Sequence, residues 1–445
     1  MSRLDVSSLM VVVEYFNEFK ALNEFVLVNK KCQDVLLSFK VNPEIHQHIT
    51  PKLLRFFPHI QTLSCSFEDY QQYQIISEYD LYRFRIERIP FEKILPFYNK
   101  ISTLKIGVYN GTSPTLPSQF DTKNWTSLRS LEINANSQIE TLEYPGTLTR
   151  LKIAECKNLK SIIGSNQLKM LRLYDCKSIS VIPNVSLTRL EIMKCNSFEF
   201  IDVTHYIELK HIIISECFSL LELSIPNSVS TLELDGCKSL QRLELSSNLS
   251  KINFYYCNRI RSFKIPTKIT SLRLSDFGLL SKIENIELCK NIQEFKLVNC
   301  NQLINFNIPS TLHTLELKNS LSHYKKIDLS HVNNLISASF VDCLTLEEIN
   351  FPMHFSNLFI DHCEAIANLL LPSSMTKVNI TKCGLLQTIK TKAKCELIVQ
   401  QCNILFKLET PNIIKCFYYN CPLLSVEQFN TNNDNIAIKL SSLYF

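Results

Sequence analysis

Twelve of the seventeen cysteines recur at one spacing: Cys156, Cys176, Cys195, Cys217, Cys237, Cys257, Cys300, Cys343, Cys363, Cys383, Cys402 and Cys421. Phe277 and Ser320 fill the two gaps in this series, and Asn136 extends it one step upstream, so that successive steps run from 19 to 23 residues. No other feature constrains the fold as strongly. A unit of this length cannot bury its own apolar face and must stack on its neighbours. Each mark is preceded by apolar residues eight, five and three positions earlier, as in Leu148/Leu151/Ile153/Cys156, Leu168/Leu171/Leu173/Cys176 and Val229/Leu232/Leu234/Cys237. The frame continues upstream through Ile101/Leu104/Ile106/Tyr109, Leu81/Phe84/Ile86/Ile89 and Ile60/Leu63/Cys65/Glu68, which makes about eighteen units. One step, from Tyr109 to Asn136, is longer and holds Gly111 and Pro114, so an inserted surface loop is expected near 107–127.

This frame resembles the leucine-rich repeat over roughly residues 56–430. The resemblance implies an α/β-type solenoid, mostly β: a right-handed superhelix with a parallel sheet on its concave face. The two-apart pair would point inward and its flanking residues outward, by strand alternation. The second half of each unit has apolar residues two apart ending in proline, as at Leu223/Ile225/Pro226 and Phe263/Ile265/Pro266. That spacing predicts extended segments on the convex face as well, because twenty residues leave no room for a full helix. At about 4.8 Å per stacked strand, eighteen units would span roughly 85 Å. Residues 431–445 should cap the far end.

Twelve equivalent cysteines cannot each be a nucleophile. No Cys-x-x-Cys occurs and histidine is not interleaved at ligand spacing, so zinc is not expected. Stacked cysteines would point in parallel, with Cβ atoms farther apart than a disulfide prefers. The remaining reading is a small buried hydrophobe with a weak donor, filling the turn after the strand. Phosphate loops, Gly-x-Ser-x-Gly and His-Glu-x-x-His are all missing, and only seven glycines are present. Neither an enzyme nor a cofactor is expected. A net charge of +5 without a Lys/Arg cluster makes no case for nucleic acid. No run reaches the roughly 18 apolar residues of a membrane span, and the start has no basic leader followed by a long apolar region. These features predict a cytoplasmic monomer.

Residues 1–55 break the frame. Leu9, Val12, Val13 and Phe16 have helical spacing, a second segment carries Phe19, Leu22, Phe25 and Val26, and a third carries Val35, Leu36 and Phe39. Through Val13, Tyr15, Phe16, Leu22, Leu27, Val28 and Lys30 this stretch resembles an F-box. The resemblance implies docking onto the adaptor subunit of an SCF-type ubiquitin ligase. It departs from the pattern in lacking the opening Leu-Pro and in having Cys32 where an aromatic is usual. A plain helical cap over the first strand is the other reading.

Between the members of each inward pair lies an outward residue: Glu132, Lys152, Arg172, Glu191, Ile213, Glu233, Asn253, Arg273, Lys296, Glu316, Ser339, Phe359, Asn379, Ile398 and Phe417. A mixed-sign row including Arg172, Glu233 and Arg273 suits a protein partner better than a polyanion. Phe359, Ile398, Phe417 and the nearby Tyr419 resemble an interface core on the concave face of residues 355–420. The expected function is a non-catalytic interaction scaffold. As an SCF substrate receptor it would leave catalysis to other subunits. The alternative is a surface adhesin or general binding protein, because phrases such as Cys237-Lys-Ser-Leu240 and Ile308-Pro-Ser-Thr-Leu312 resemble BspA-like repeats. The BspA-like Gly-x-x-Ala-Phe segment is missing. Many Asn, Lys and Ile residues suggest an AT-rich genome, such as a protist's.

Overall fold

The computed structural model describes residues 19–40, 101–107, 116–304 and 306–424, the strands Thr62–Ser66, Leu81–Arg85 and Ile436–Lys439, and short stretches within 9–16, 55–60 and 98–99. The chain divides into two compact units, residues 1–197 and 198–445. Both repeat one coil, mostly β and parallel throughout, as the frame predicts.

In each coil the apolar pair occupies a five-residue strand. Arg150–Ala154 shows why: Leu151 and Ile153 are buried, while Arg150, Lys152 and Ala154 alternate to the other side. Each strand pairs in register with its counterparts, Leu151 opposite Leu171 and Ile153 opposite Leu173. The first unit carries such a ladder from Thr103–Ile106 to Arg189–Met193. The second runs from His211–Ser215 to Ile436–Lys439. Equivalent aliphatic side chains therefore stack in continuous inner rows, each burial contributing about 1.5–3 kcal/mol. Thr62–Ser66 pairs with Leu81–Arg85, but Leu63 and Cys65 face Tyr82 and Phe84 rather than the expected Phe84 and Ile86. A slip of two residues leaves the alternation of the sequence pattern intact, so the apolar pattern alone does not forbid it.

Three-residue strands form the opposite face, as in Thr141–Glu143 beside Ser161–Ile163 and Lys326–Asp328 beside Glu348–Asn350. The recurrent prolines follow these strands and close a tight turn, the carbonyls of Pro145, Pro226 and Pro266 accepting from Leu148, Val229 and Ile269. The expected loop near 107–127 needs correction in its second half. Leu116, Phe120 and Trp125 are buried, and Gln119–Asp121 joins the short-strand ladder beside Thr141–Glu143. The segment has enough apolar residues to complete a coil, which the Gly/Pro content of 111–117 obscured. Residues 108–115 lie outside the described ones.

The turn after each long strand explains how so few glycines suffice. The residue before the mark is left-handed in coil after coil: Glu155 at φ 55°, Asp175 at 48°, Glu216 at 51°, Lys382 at 54°, with glycine only at Gly236. Such a backbone costs a non-glycine residue roughly 1 kcal/mol. Here it aims the N–H at the next coil, Glu155 N–H reaching Tyr174 O at 2.7 Å and Lys382 N–H reaching Gln400 O at 2.9 Å. Each strand ladder thus gains one further rung.

The mark cysteine completes the turn. Its thiol donates to the carbonyl two residues back, Cys195 to Met193 O at 3.2 Å and Cys300 to Val298 O at 3.3 Å. Its sulfur also accepts the N–H of the preceding mark, as from Asn136 to Cys156 and from Phe277 to Cys300. Ser320 does the same with oxygen, donating to Lys318 O at 2.8 Å and accepting Cys300 N–H at 3.1 Å. Cys32 and every cysteine from Cys156 onward are free and buried, and burial pushes Cys156, Cys300 and Cys416 up to about 12.

At the N-terminus, helices α1 (Phe19–Val28) and α2 (Lys30–Leu37) are joined through Asn29, whose side chain accepts from Cys32 N–H at 3.0 Å and caps α2. Leu22, Cys32, Val35 and Leu36 are buried, and Phe39 meets Phe57 edge-on at 5.6 Å.

Candidate functional site

The outward positions of the long strands form three parallel rows, and their chemistry changes along the chain. In the first unit the middle row is charged and largely neutralised sideways. Lys105 lies 3.9 Å from Glu132, and Glu191, only 6% exposed, sits between Arg172 at 3.4 Å and Arg189 at 2.5 Å. In the second unit Lys296 pairs with Glu316 at 2.7 Å. Arg273 pairs with Glu294 at 2.5 Å, and Ser271 donates to the same carboxylate at 2.8 Å. The hydrogen bond to Glu294 raises the Arg273 pKa. Burial works against ionisation of Glu294, but the hydrogen bonds from Arg273 and Ser271 outweigh it and hold the carboxyl below its ordinary range.

The predicted contact residues therefore fall into two groups. Arg172 and Arg273 are held by their own neighbours and present little free charge. Glu233, half-buried between Ile213 and Asn253, has no ion-pair partner among the described residues. From Ser337 onward the middle row becomes Ser339, Phe359, Asn379, Ile398 and Phe417, in register and without ion pairs among the described residues. Phe359 is 37% exposed. Ile398, Phe417 and Tyr419 are half-buried. The structure thus brings Phe359, Ile398, Phe417 and Tyr419 onto one outward surface formed by four adjacent strands, Asn357–Asp361, Lys377–Thr381, Glu396–Gln400 and Lys415–Tyr419.

A second apolar row was missed. Two residues past the mark, earlier coils carry Asn158, Ser178 and Ser322, whose side chains donate to the preceding coil at 2.7, 2.7 and 3.2 Å. In the last four repeats the same position is Ala365, Leu385, Ile404 and Leu423, with Leu385 and Leu423 exposed. The same repeat frame that gives the middle row also gives this position in the sequence.

The F-box-like residues separate by burial. Val13 and Leu22 are buried and Phe16 stacks edge-on against Phe25 at 5.4 Å, so these build the helical module itself. Leu27 and Val28, at the end of α1, are 81% and 67% exposed. Tyr15 lies outside the described residues. No group of three or more His, Cys, Asp or Glu able to hold a metal occurs among the described residues, and no described helix is long and apolar enough to cross a membrane.

Residues 207–319 match the family model for the BspA type leucine rich repeat region, in six copies. The chain is similar to a leucine-rich repeat protein from Bacteroides ovatus, with 12% identity over 77% of this chain and 85% of that one and a TM-score of 0.26. It is similar to a leucine rich cell surface protein from Faecalibacterium prausnitzii, with 16% identity over 68% and 84% and a TM-score of 0.24. It is also similar to the functional domain of InlJ from Listeria monocytogenes, which includes a cysteine ladder, with 13% identity over 82% and 76% and a TM-score of 0.34. No curated protein matches the chain. With the BspA-type signature in residues 207–319 and the same coil recurring in both units, the fold is that of a leucine-rich-repeat solenoid.

Proposed function

We propose that this chain is a non-catalytic protein-interaction scaffold whose partner binds the long-strand face of residues 355–420. The supporting observation is the change in the middle row, from laterally paired charges to Phe359, Ile398 and Phe417 with Tyr419 beside them. Large apolar and aromatic side chains held at a surface by a rigid sheet are the usual core of a protein interface. A photo-crosslinking amino acid at position 419, compared with one at Lys160 on the short-strand face, tests this. Discrete adducts from 419 that vanish in a Phe359→Asp/Phe417→Asp variant are expected. Identical adducts from both positions would refute it.

A second reading concerns the N-terminal module. Leu27 and Val28 project from α1 although Leu22 and Phe25 of the same helix are buried, which favours docking onto an SCF-type ubiquitin-ligase adaptor and goes with a cytoplasmic chain. Binding of the adaptor subunit to the full chain, lost on Leu27→Asp/Val28→Asp, is expected. If the folded chain does not bind the adaptor, the general scaffold reading remains, including that of a BspA-like surface adhesin.

A further inference from the structure

The same face also indicates what kind of partner it takes. Between residues 355 and 420 there are seven lysines, no arginine and four acidic residues, whereas 198–354 has fifteen Lys+Arg against seventeen Asp+Glu. The surplus is not neutralised among the described residues. Lys377, Lys382, Lys392, Lys394 and Lys415 are exposed and have no ion-pair partner among the described residues. Lys390 and Lys407, on the short-strand face, both bind Glu409. Upstream, Arg172, Arg273 and Lys296 each bind an acid on the neighbouring long strand. The acids on the patch itself are Asp361 and the half-buried Glu396, which lies in register between Lys377 and Lys415.

The apolar points have a definite spacing. Phe359 and Ile398 are two strands apart, with Asn379 between them, and Phe417 is one strand further. At about 4.8 Å per strand these points lie near 0, 10 and 14 Å along a line crossing the strands. An extended chain repeats a side chain on one face every ~6.7 Å and cannot meet the first two together. A helix lying along that line, rising about 1.5 Å per residue, presents positions i, i+7 and i+10 near 0, 10.5 and 15 Å. Lys377 and Lys415, also two strands apart and on the same outward face, flank the line on one side.

We infer that residues 355–420 bind an amphipathic helix of a partner protein, apolar at i, i+7 and i+10 and acidic along the edge that faces Lys377 and Lys415. This rests on the interaction-face reading and specifies its partner. The binding mode is a helix laid on a surface, with apolar anchors providing affinity and the charged flank providing register and encounter rate.

The test is a display library of helical peptides with randomised outward positions, panned against the full chain and counter-selected on the Phe359→Asp/Phe417→Asp variant. Both substitutions are on the surface, and an unchanged thermal melt verifies folding. Enriched sequences should be apolar at i, i+7 and i+10, rich in Asp and Glu, and at least tenfold weaker on Lys377→Glu/Lys415→Glu. Their binding should fall as salt rises. Enrichment of basic sequences, or of sequences without helical spacing, that still depend on Phe359 and Phe417 would overturn the partner assignment while leaving the face intact. If no enriched sequence depends on those two residues, both the inference and the underlying reading fall.

Discussion

Substituting Cys300 tests why cysteine occupies the mark. Burial alone ranks alanine above serine there, because a hydroxyl is the more polar group to bury. The hydrogen bonds reverse that order. The Cys300 thiol donates to Val298 O at 3.3 Å, and its sulfur accepts Phe277 N–H. One coil on, Ser320 makes the equivalent pair with oxygen, at 2.8 and 3.1 Å. Cys300→Ser keeps both interactions and should cost about 1 kcal/mol, from the poorer burial of oxygen. Cys300→Ala leaves the Phe277 N–H buried without an acceptor, at about 1–3 kcal/mol, and adds roughly 1 kcal/mol for the space vacated. The alanine variant should therefore be the less stable by about 1–3 kcal/mol. Repeat solenoids need not unfold in one step, so a local readout should accompany the urea midpoint. Hydrogen exchange at the Phe277 amide should accelerate in Cys300→Ala and stay near wild type in Cys300→Ser. An alanine variant as stable as the serine one, with Phe277 still protected, would refute the reasoning.

Further outcomes follow from single positions. A Cβ at Gly164 would run into the buried Tyr144 ring, so Gly164→Ala should destabilise the first unit by about 1–3 kcal/mol in a thermal or urea melt. His362 binds Asp342 at 2.8 Å, and this hydrogen bond raises its pKa. Its contribution to stability should be complete below pH ~6.5 and lost as pH rises through the folded-state pKa. NMR titration should find His362 above the usual histidine value, and Asp342→Asn should bring it down. Because Cys156 and Cys300 are buried and pushed up to about 12, maleimide should label these two slowly in the native chain and quickly in urea.

Much of the coil was legible because stacking converts one local pattern into a long-range one. Leu151 and Ile153 two apart, with Cys156 three further on, specify a strand and a turn. Their recurrence every twenty residues then dictates which strand pairs with which. Decay of the pattern marks where this reasoning loses force. At Leu81–Arg85 an even slip satisfied the same alternation, and at 116–128 Phe120 and Trp125 formed a coil where turn residues nearby predicted a loop. The candidate surface was only half legible. Phe359, Ile398 and Phe417 could be listed from the frame, but whether Arg172 and Arg273 were free could not.

The repeat, its parallel stacking and the structural role of its cysteines were thus determined by the sequence itself, because apolar burial at fixed spacing admits essentially one arrangement. Tertiary structure decided the rest. It set the left-handed residues Glu155, Asp175 and Lys382 in place of glycine, since the energy of that turn is recovered only when the next coil supplies an acceptor. It also separated Arg273, bound to Glu294, from Lys377 and Lys415, which have no ion-pair partner among the described residues. Net charge is readable along a chain, but whether a charge is available to a partner depends on side-chain distances between coils.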